Sequence, residues 1–337
     1  MRISSFIKPF VALGAVLAVT SAQAAEKVNV AALTFVSSSP LFIAQEKGYF
    51  AEQGLEVDFK FFRAAQPVAV AIASGDADFG VTAFTAGFFN LAGKGALKVI
   101  GAQLHEVKGF EGSGILASNK AYEAGLTSVD KLPGHSYAMS QVGSSFHYMM
   151  GQVAEGAGFP LSEIKLKALQ SVGNMIGALK SGQVDSMIIV PHIAKPLANA
   201  GAAKLIGWVS DYAPYQVGGL FTSTANVEKR RSVTEKFVKA YQKGIADYRA
   251  AFIDGKTDQD AIVAIIHKYV YKDQEAAKAH PKIRNGAMYI EADGRLDVAD
   301  VYKQVEWYRE KGLVDASVDA GSFVDNSFIK PLTMPKK

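Results

Sequence analysis

The chain has 337 residues, 49% of them hydrophobic, with 36 lysines and arginines against 32 acidic residues and no cysteine. That length suits two lobes and a core large enough to need no disulfide. Charges of both signs are interspersed, which leaves no basic face for nucleic acid, and the missing thiol excludes disulfides, thiolate metal sites, iron–sulfur clusters and cysteine nucleophiles.

At the N-terminus, Arg2 and Lys8 accompany a short apolar run from Phe10 to Val19, and Ala22-Gln23-Ala24 follows as a small-residue cleavage pattern. These features predict a removable export signal over residues 1–24. The run is shorter than the roughly 20 residues that a permanent membrane helix needs. Loss of Arg2 and Lys8 takes the formal charge from +4 to +2, and no cysteine follows the signal to carry a lipid. The mature chain is therefore expected free in a periplasm, as a monomer.

Beyond the signal the pattern alternates strand and helix. Val28 to Leu33 reads as a buried strand, and Ser37-Ser38-Ser39-Pro40 opens a helix with Ser39 at the N-cap. Leu55 to Phe62 and Phe79 to Val81 read as strands, and Val68 to Ala73 and Phe84 to Ala92 as helices. A strand over Lys98 to Gln103 follows. A second run of the same kind has strands at Ser136 to Met139, Lys165 to Leu169 and Met187 to Val190, with helices at Ser144 to Ala157 and Met175 to Lys180. Such alternation implies mostly parallel sheets covered by helices.

One signature recurs in both runs. Ser74-Gly75-Asp76-Ala77-Asp78 and Ser181-Gly182-Gln183-Val184-Asp185 each end a helix on glycine and start a strand at aspartate. Two related α/β lobes follow. Tyr215 to Ser223 reads as a returning strand, after which Ser232 to Phe252, Asp260 to Tyr269 and Asp297 to Lys311 have amphipathic spacing, as in Phe237, Tyr241, Ile245 and Tyr248.

Taken in order, Pro40-Leu41-Phe42-Ile43-Ala44-Gln45-Glu46-Lys47-Gly48-Tyr49-Phe50, Gly54-Leu55-Glu56-Val57, the two Ser-Gly-x-x-Asp segments, Leu132-Pro133-Gly134 and Gly143-Ser144-Ser145 carry a family likeness. The chain resembles the solute-binding proteins of the nitrate, sulfonate, taurine and thiamine-precursor ABC importers, over essentially its whole mature length. The resemblance implies an α/β, two-lobed periplasmic-binding-protein fold of type II, each lobe a mostly parallel sheet flanked by helices. It implies a ligand cleft between lobes that close about a hinge, and an inner-membrane permease as partner. Lobe 1 is expected over residues 25–115 and 215–337, and lobe 2 over 116–214. No cofactor, metal or nucleic acid is expected.

In open α/β sheets ligands sit beyond the carboxyl ends of strands, and clefts between lobes concentrate such sites. Loops after strands therefore supply the candidates. Ser38 and Ser39 stand at a helix start, where free N–H groups attract an anion, although one of them must cap the helix. Thr82 and Thr85 stand in the same way after the third strand, and Gly143, Ser144 and Ser145 before the long second-lobe helix. His105, His147 and His192 could hydrogen-bond a carboxylate or sulfonate; no close histidine pair or zincin motif supports a metal. Arg63 could pair with an anion, and Phe35, Phe84 and Tyr215 could stack on a ring. Hydroxyls and imidazoles fit a small sulfonate or carboxylate; the aromatics also fit a pyrimidine. Glycine-rich nucleotide loops and a G-x-S-x-G elbow are absent, which points away from an enzyme. The alternatives are a periplasmic enzyme using Ser144 and His147, or a ligand sensor serving a membrane receptor.

Overall fold

The computed structural model describes residues 24–335, so the export signal expected over residues 1–24 lies outside the described residues apart from Ala24. Twelve strands are described: β1 (Glu26–Ala32), β2 (Leu55–Phe61), β3 (Phe79–Ala83), β4 (Leu97–Ala102), β5 (His105–Glu106), β6 (Gly114–Ala117), β7 (Ser136–Met139), β8 (Lys165–Ala168), β9 (Ser186–Ile189), β10 (Lys204–Trp208), β11 (Tyr215–Gln216) and β12 (Gly218–Ser223). They form two five-stranded sheets, ordered β2-β1-β3-β12-β4 and β10-β6-β9-β7-β8, plus a two-stranded β5–β11 ribbon.

Each large sheet has one reversed strand. β1 runs parallel to β2 and β3, whereas β12 is antiparallel to β3 and β4. Likewise β7 is parallel to β8 and β9, whereas β6 is antiparallel to β9 and β10. Read from the β2 and β8 edges the two orders coincide, with β6 standing where β12 stands. The predicted mostly parallel sheets are present, each with one exception. Parallel neighbours need a crossover, which is why helices such as Ser39–Glu46 and Ser145–Ala157 separate successive strands.

The repeated aspartate motif has one structural job in both sheets. Asp78 Oδ2 accepts the backbone N–H of Asn29 within β1, and Asp185 Oδ2 accepts that of Ser136 at the start of β7, each at 2.8 Å. The preceding Gly75 and Gly182 take left-handed φ values of +83° and +70°, which lets the chain turn from helix to strand. Asp78 is tied further to Arg230 at 2.5 Å. Asp185 is held below its ordinary range: burial raises its pKa, but bonds from Ser136 and His135 outweigh that.

Helix starts differ slightly from expectation. A short turn over Val36–Ser38 precedes the first helix, so Ser39 is its first residue and not its cap; the Ser39 hydroxyl donates to the Val36 carbonyl. The C-terminal helices Arg231–Phe252, Gln259–His267 and Val298–Glu310 match the amphipathic segments, and a further one, Ala276–Arg284, contains Pro281. Phe237 of the long helix stacks on Phe79 of β3 at 4.0 Å, and the Tyr241 hydroxyl donates to the Ala102 carbonyl, so this helix covers the first sheet. Burying those aromatic faces contributes on the order of 2 kcal/mol each. Among the described residues no helix is long and apolar enough to cross a membrane.

Candidate functional site

A cavity of about 50 Å³ lies where strand ends of the two large sheets meet. On the measure by which one water needs about 10–15 Å³, it holds roughly four water-sized groups. From the first sheet come Leu33, Phe35, Ser37 and Ser38 after β1, Ala64 and Ala65 after β2, Thr82 and Ala83 ending β3, and Gln103 and Leu104 after β4. From the second come Ser140 after β7, Ser145, Phe146 and Met149 on the next helix, Val172 after β8, and Val190 after β9. Ser113 and Val217 immediately precede β6 and β12; because those two strands are reversed, their starts lie at the edge where the other strands end. Together with Gln103 and Leu104 they make the floor, beside the β5–β11 ribbon.

Among the described residues no lysine, arginine, aspartate or glutamate lines this cavity. Positive potential comes instead from helix N-termini. Ala65, Ser145 and Val172 are the first residues of the helices Ala65–Ala73, Ser145–Ala157 and Val172–Lys180, and Val190 is the N-cap of Pro191–Asn199. First-turn N–H groups have no partner within their own helix, and the dipole adds partial positive charge there. These four helices come from both sheets and all border the same space.

Of the fourteen residues singled out in the sequence, Phe35, Ser38, Thr82 and Ser145 line the cavity. Arg63 is exposed and lines a neighbouring outer groove of about 340 Å³, which shares Leu33, Phe35 and Val172 with the cavity. His192 stands behind Phe35, their rings edge to face at 5.2 Å; burial pushes its pKa down to about 3, so it is neutral, and its Nδ1 is buried without a partner among the described residues.

Four more meet at a contact between the first and second sheets' loops. Gly143 carbonyl accepts the Ala86 N–H at 2.8 Å, while Thr85 caps the Ala86–Gly93 helix by accepting from Phe88 N–H at 3.0 Å. Ser144 caps the Ser145–Ala157 helix, its Oγ accepting the His147 N–H at 3.3 Å. The His147 ring is engaged elsewhere: Nδ1 accepts the Gly143 N–H at 3.2 Å and the ring packs edge-on to Trp307. Burial, then Lys311, lowers the His147 pKa. Ser144 and His147 thus act as a helix cap, not as a nucleophile with its base.

The rest lie outside the cavity. Ser39 is used within its own turn, and Phe84 packs in an aromatic cluster with Phe88 at 5.1 Å. His105 and Tyr215 sit on the two-stranded ribbon, where Tyr215 faces Glu106 in register. Burial lowers the His105 pKa and raises that of Tyr215, the latter also through Glu106. Among the described residues no cluster of three or more histidines and carboxylates could hold a metal.

Residues 36–251 match the protein family described as NMT1/THI5 like. The chain belongs to the NMT1/THI5-like family. Three solved structures resemble this NMT1/THI5-like chain closely in shape and distantly in sequence. The periplasmic aliphatic sulphonate binding protein SsuA from Escherichia coli is 17% identical at a TM-score of 0.69, covering 93% of this chain and 94% of that one. The periplasmic nitrate-binding protein NrtA from Synechocystis PCC 6803 is 14% identical at 0.68, covering 88% and 84%. The Candida albicans CA3427 product, described as having the generic periplasmic binding protein fold, is 19% identical at 0.68, covering 92% and 99%. The fold of this family member is accordingly the periplasmic-binding-protein fold. No match is found among curated protein sequences.

Proposed function

We propose that the chain is the solute-binding component of an ABC importer, free in a periplasm and not an enzyme, which delivers a small organic sulfonate or carboxylate to an inner-membrane permease. The observation that carries this reading is the cavity bordered by four helix N-termini drawn from both sheets. Such ends favour an anion without any cationic side chain, because their N–H groups and dipoles are already oriented. A ligand there touches both sheets, so binding favours the closed arrangement. Support also comes from relatives named for binding sulfonate and nitrate.

In this reading lobe 1 comprises residues 25–115 and 215–337 and lobe 2 residues 116–214, and the β5–β11 ribbon is the hinge. The exposed Arg63 beside the outer groove draws anions towards the cleft. Thermal shift of the mature chain against sulfonates, carboxylates and nitrate tests the reading. A ligand at ~100 times its dissociation constant adds about 2.7 kcal/mol of stability. A shift with unchanged ligand recovered, accompanied by a more compact scattering profile, is the expected result. A ligand that is turned over, or a scattering profile indifferent to a ligand that binds, overturns it.

A further inference from the structure

The floor of the cavity carries an acceptor that the protein leaves unused. Gln103 is 3% exposed and lines the cavity, and its Nε2 donates to the Ser37 carbonyl at 3.2 Å. A carbonyl only accepts, so this bond fixes which end of the amide is nitrogen and which is oxygen. The remaining atom, Oε1, is buried and has no hydrogen-bond partner among the described residues. None of the serine and threonine hydroxyls that line the same cavity donates to it. Buried amide oxygens are nearly always paired, and one left bare in a small site calls for a donor from outside the chain.

Nitrate offers only acceptors, so oxygen would face oxygen, and an unsubstituted sulfonate ends in carbon opposite its acid, which leaves Oε1 without a donor. We infer that the ligand carries an N–H or O–H group that Gln103 Oε1 accepts, in addition to its acidic group: an amino- or hydroxy-substituted sulfonate or carboxylate, with Gln103 as the residue that selects for the donor. The inference rests on the solute-binding reading above and extends it from the acidic group to the opposite end of the ligand. The two ends then lie against different chemistry: helix N-termini at one, an amide oxygen at the other. The apolar wall of Phe35, Phe146 and Met149 leaves the stretch between them to carbon.

Calorimetric titration with matched probes tests this: 2-aminoethanesulfonate against ethanesulfonate, and 4-aminobenzoate against benzoate. In the wild type the amino member of at least one pair binds about tenfold tighter than its unsubstituted partner, the discrimination typical of one buried hydrogen bond. Gln103→Met keeps the shape, removes the acceptor, and abolishes the preference. The ratio is taken within one protein, so a general loss of affinity cancels. If the variant does not fold, the wild-type ratio alone decides. A wild-type ratio near one with measurable binding means that water serves Oε1; that overturns the inference and leaves the importer reading intact. Binding by none of the four probes overturns the acidic-ligand reading, and the inference falls with it.

Discussion

Gly143 is where the closed arrangement is most sharply testable. It has a left-handed φ of +78°, its carbonyl receives the Ala86 N–H across the cleft, and a Cβ built on it would stand 2.9 Å from the Ala86 Cβ. Gly143→Ala therefore does two separable things. The left-handed backbone penalises any L-residue by about 1–2 kcal/mol whether the cleft is open or closed. The methyl contact is well inside ordinary van der Waals distance; on the proposed closure it exists only when the lobes are shut, and it costs on the order of 1 kcal/mol there. The first effect lowers the melting midpoint by roughly 2–4 °C in a chain this size. The second lowers ligand affinity about fivefold, since 1.4 kcal/mol is tenfold. Ala86→Gly on top of Gly143→Ala removes the clash and not the strain, so the double variant regains affinity while its midpoint stays low. Calorimetry with the best ligand from the thermal screen, melting curves and scattering radii make up the cycle. Unchanged affinity in Gly143→Ala, or failure of Ala86→Gly to restore it, would show that the lobes do not meet at this contact when ligand is bound.

Two pH dependences of opposite sign follow from buried groups. His192, held neutral with a pKa of about 3 against an ordinary 6.5, binds its proton more readily unfolded; stability falls as pH drops below 6.5, by roughly 2 kcal/mol at pH 5, and urea melts of His192→Phe should lose that acid slope. Glu106 is wholly buried with its pKa raised to about 7 from 4.5, by burial against weaker stabilisation from Ser113, so the neutral acid is the folded form. Its stabilising effect is complete below pH 4.5 and lost as pH rises through 7, a fall of about 3 kcal/mol that Glu106→Gln should flatten; an unaltered pH profile in that variant would refute the assignment.

Much of the scaffold was legible because local chemistry and tertiary role agree. The Ser-Gly-x-x-Asp segments predicted a glycine turn into a strand, and the aspartates turn out to bond backbone N–H groups of β1 and β7, Asn29 within the first and Ser136 at the start of the second, at identical separations. The strand Ser136–Met139 was read to the residue. By contrast β6 and β10 went unread, and β10 carries a shift in register between Leu205 and Gly207 that interrupts the period a sequence can display. Tyr215 to Ser223 looked like one strand but divides at Val217, because Tyr215 and Gln216 pair with the ribbon before the chain enters the sheet. Pro281 hid the Ala276–Arg284 helix.

The site was less legible than the fold, for a reason of direction. Searching the loops after strands found Phe35, Ser38, Thr82 and Ser145, and passed over Ser113 and Val217, which come before strands that run backwards. Nothing in a short apolar segment declares its direction. Gln103 ended an expected strand and was visible as a polar residue at a carboxyl end, yet its unpaired oxygen exists only once Ser37 is folded against it. His147 and Ser144 shared the spacing of a catalytic pair and of a helix cap, and only the ring orientation distinguishes them.

The position of the cavity floor has a thermodynamic consequence. Gln103, Leu104, Ser113 and Val217 adjoin the β5–β11 ribbon. On the proposal that this ribbon is the hinge, they are expected to change their distance to a bound ligand little during closure, whereas Ser38 and Ser145 would approach it from opposite sides. A contact made equally in two states cannot shift the balance between them. The floor therefore sets how tightly the ligand is held in either state, and the walls set how far holding it draws the lobes together. On the proposed closure, affinity and motion are under separate control in one small cavity, so a chain altered at Gln103 is expected to change its choice of ligand while keeping the same motion.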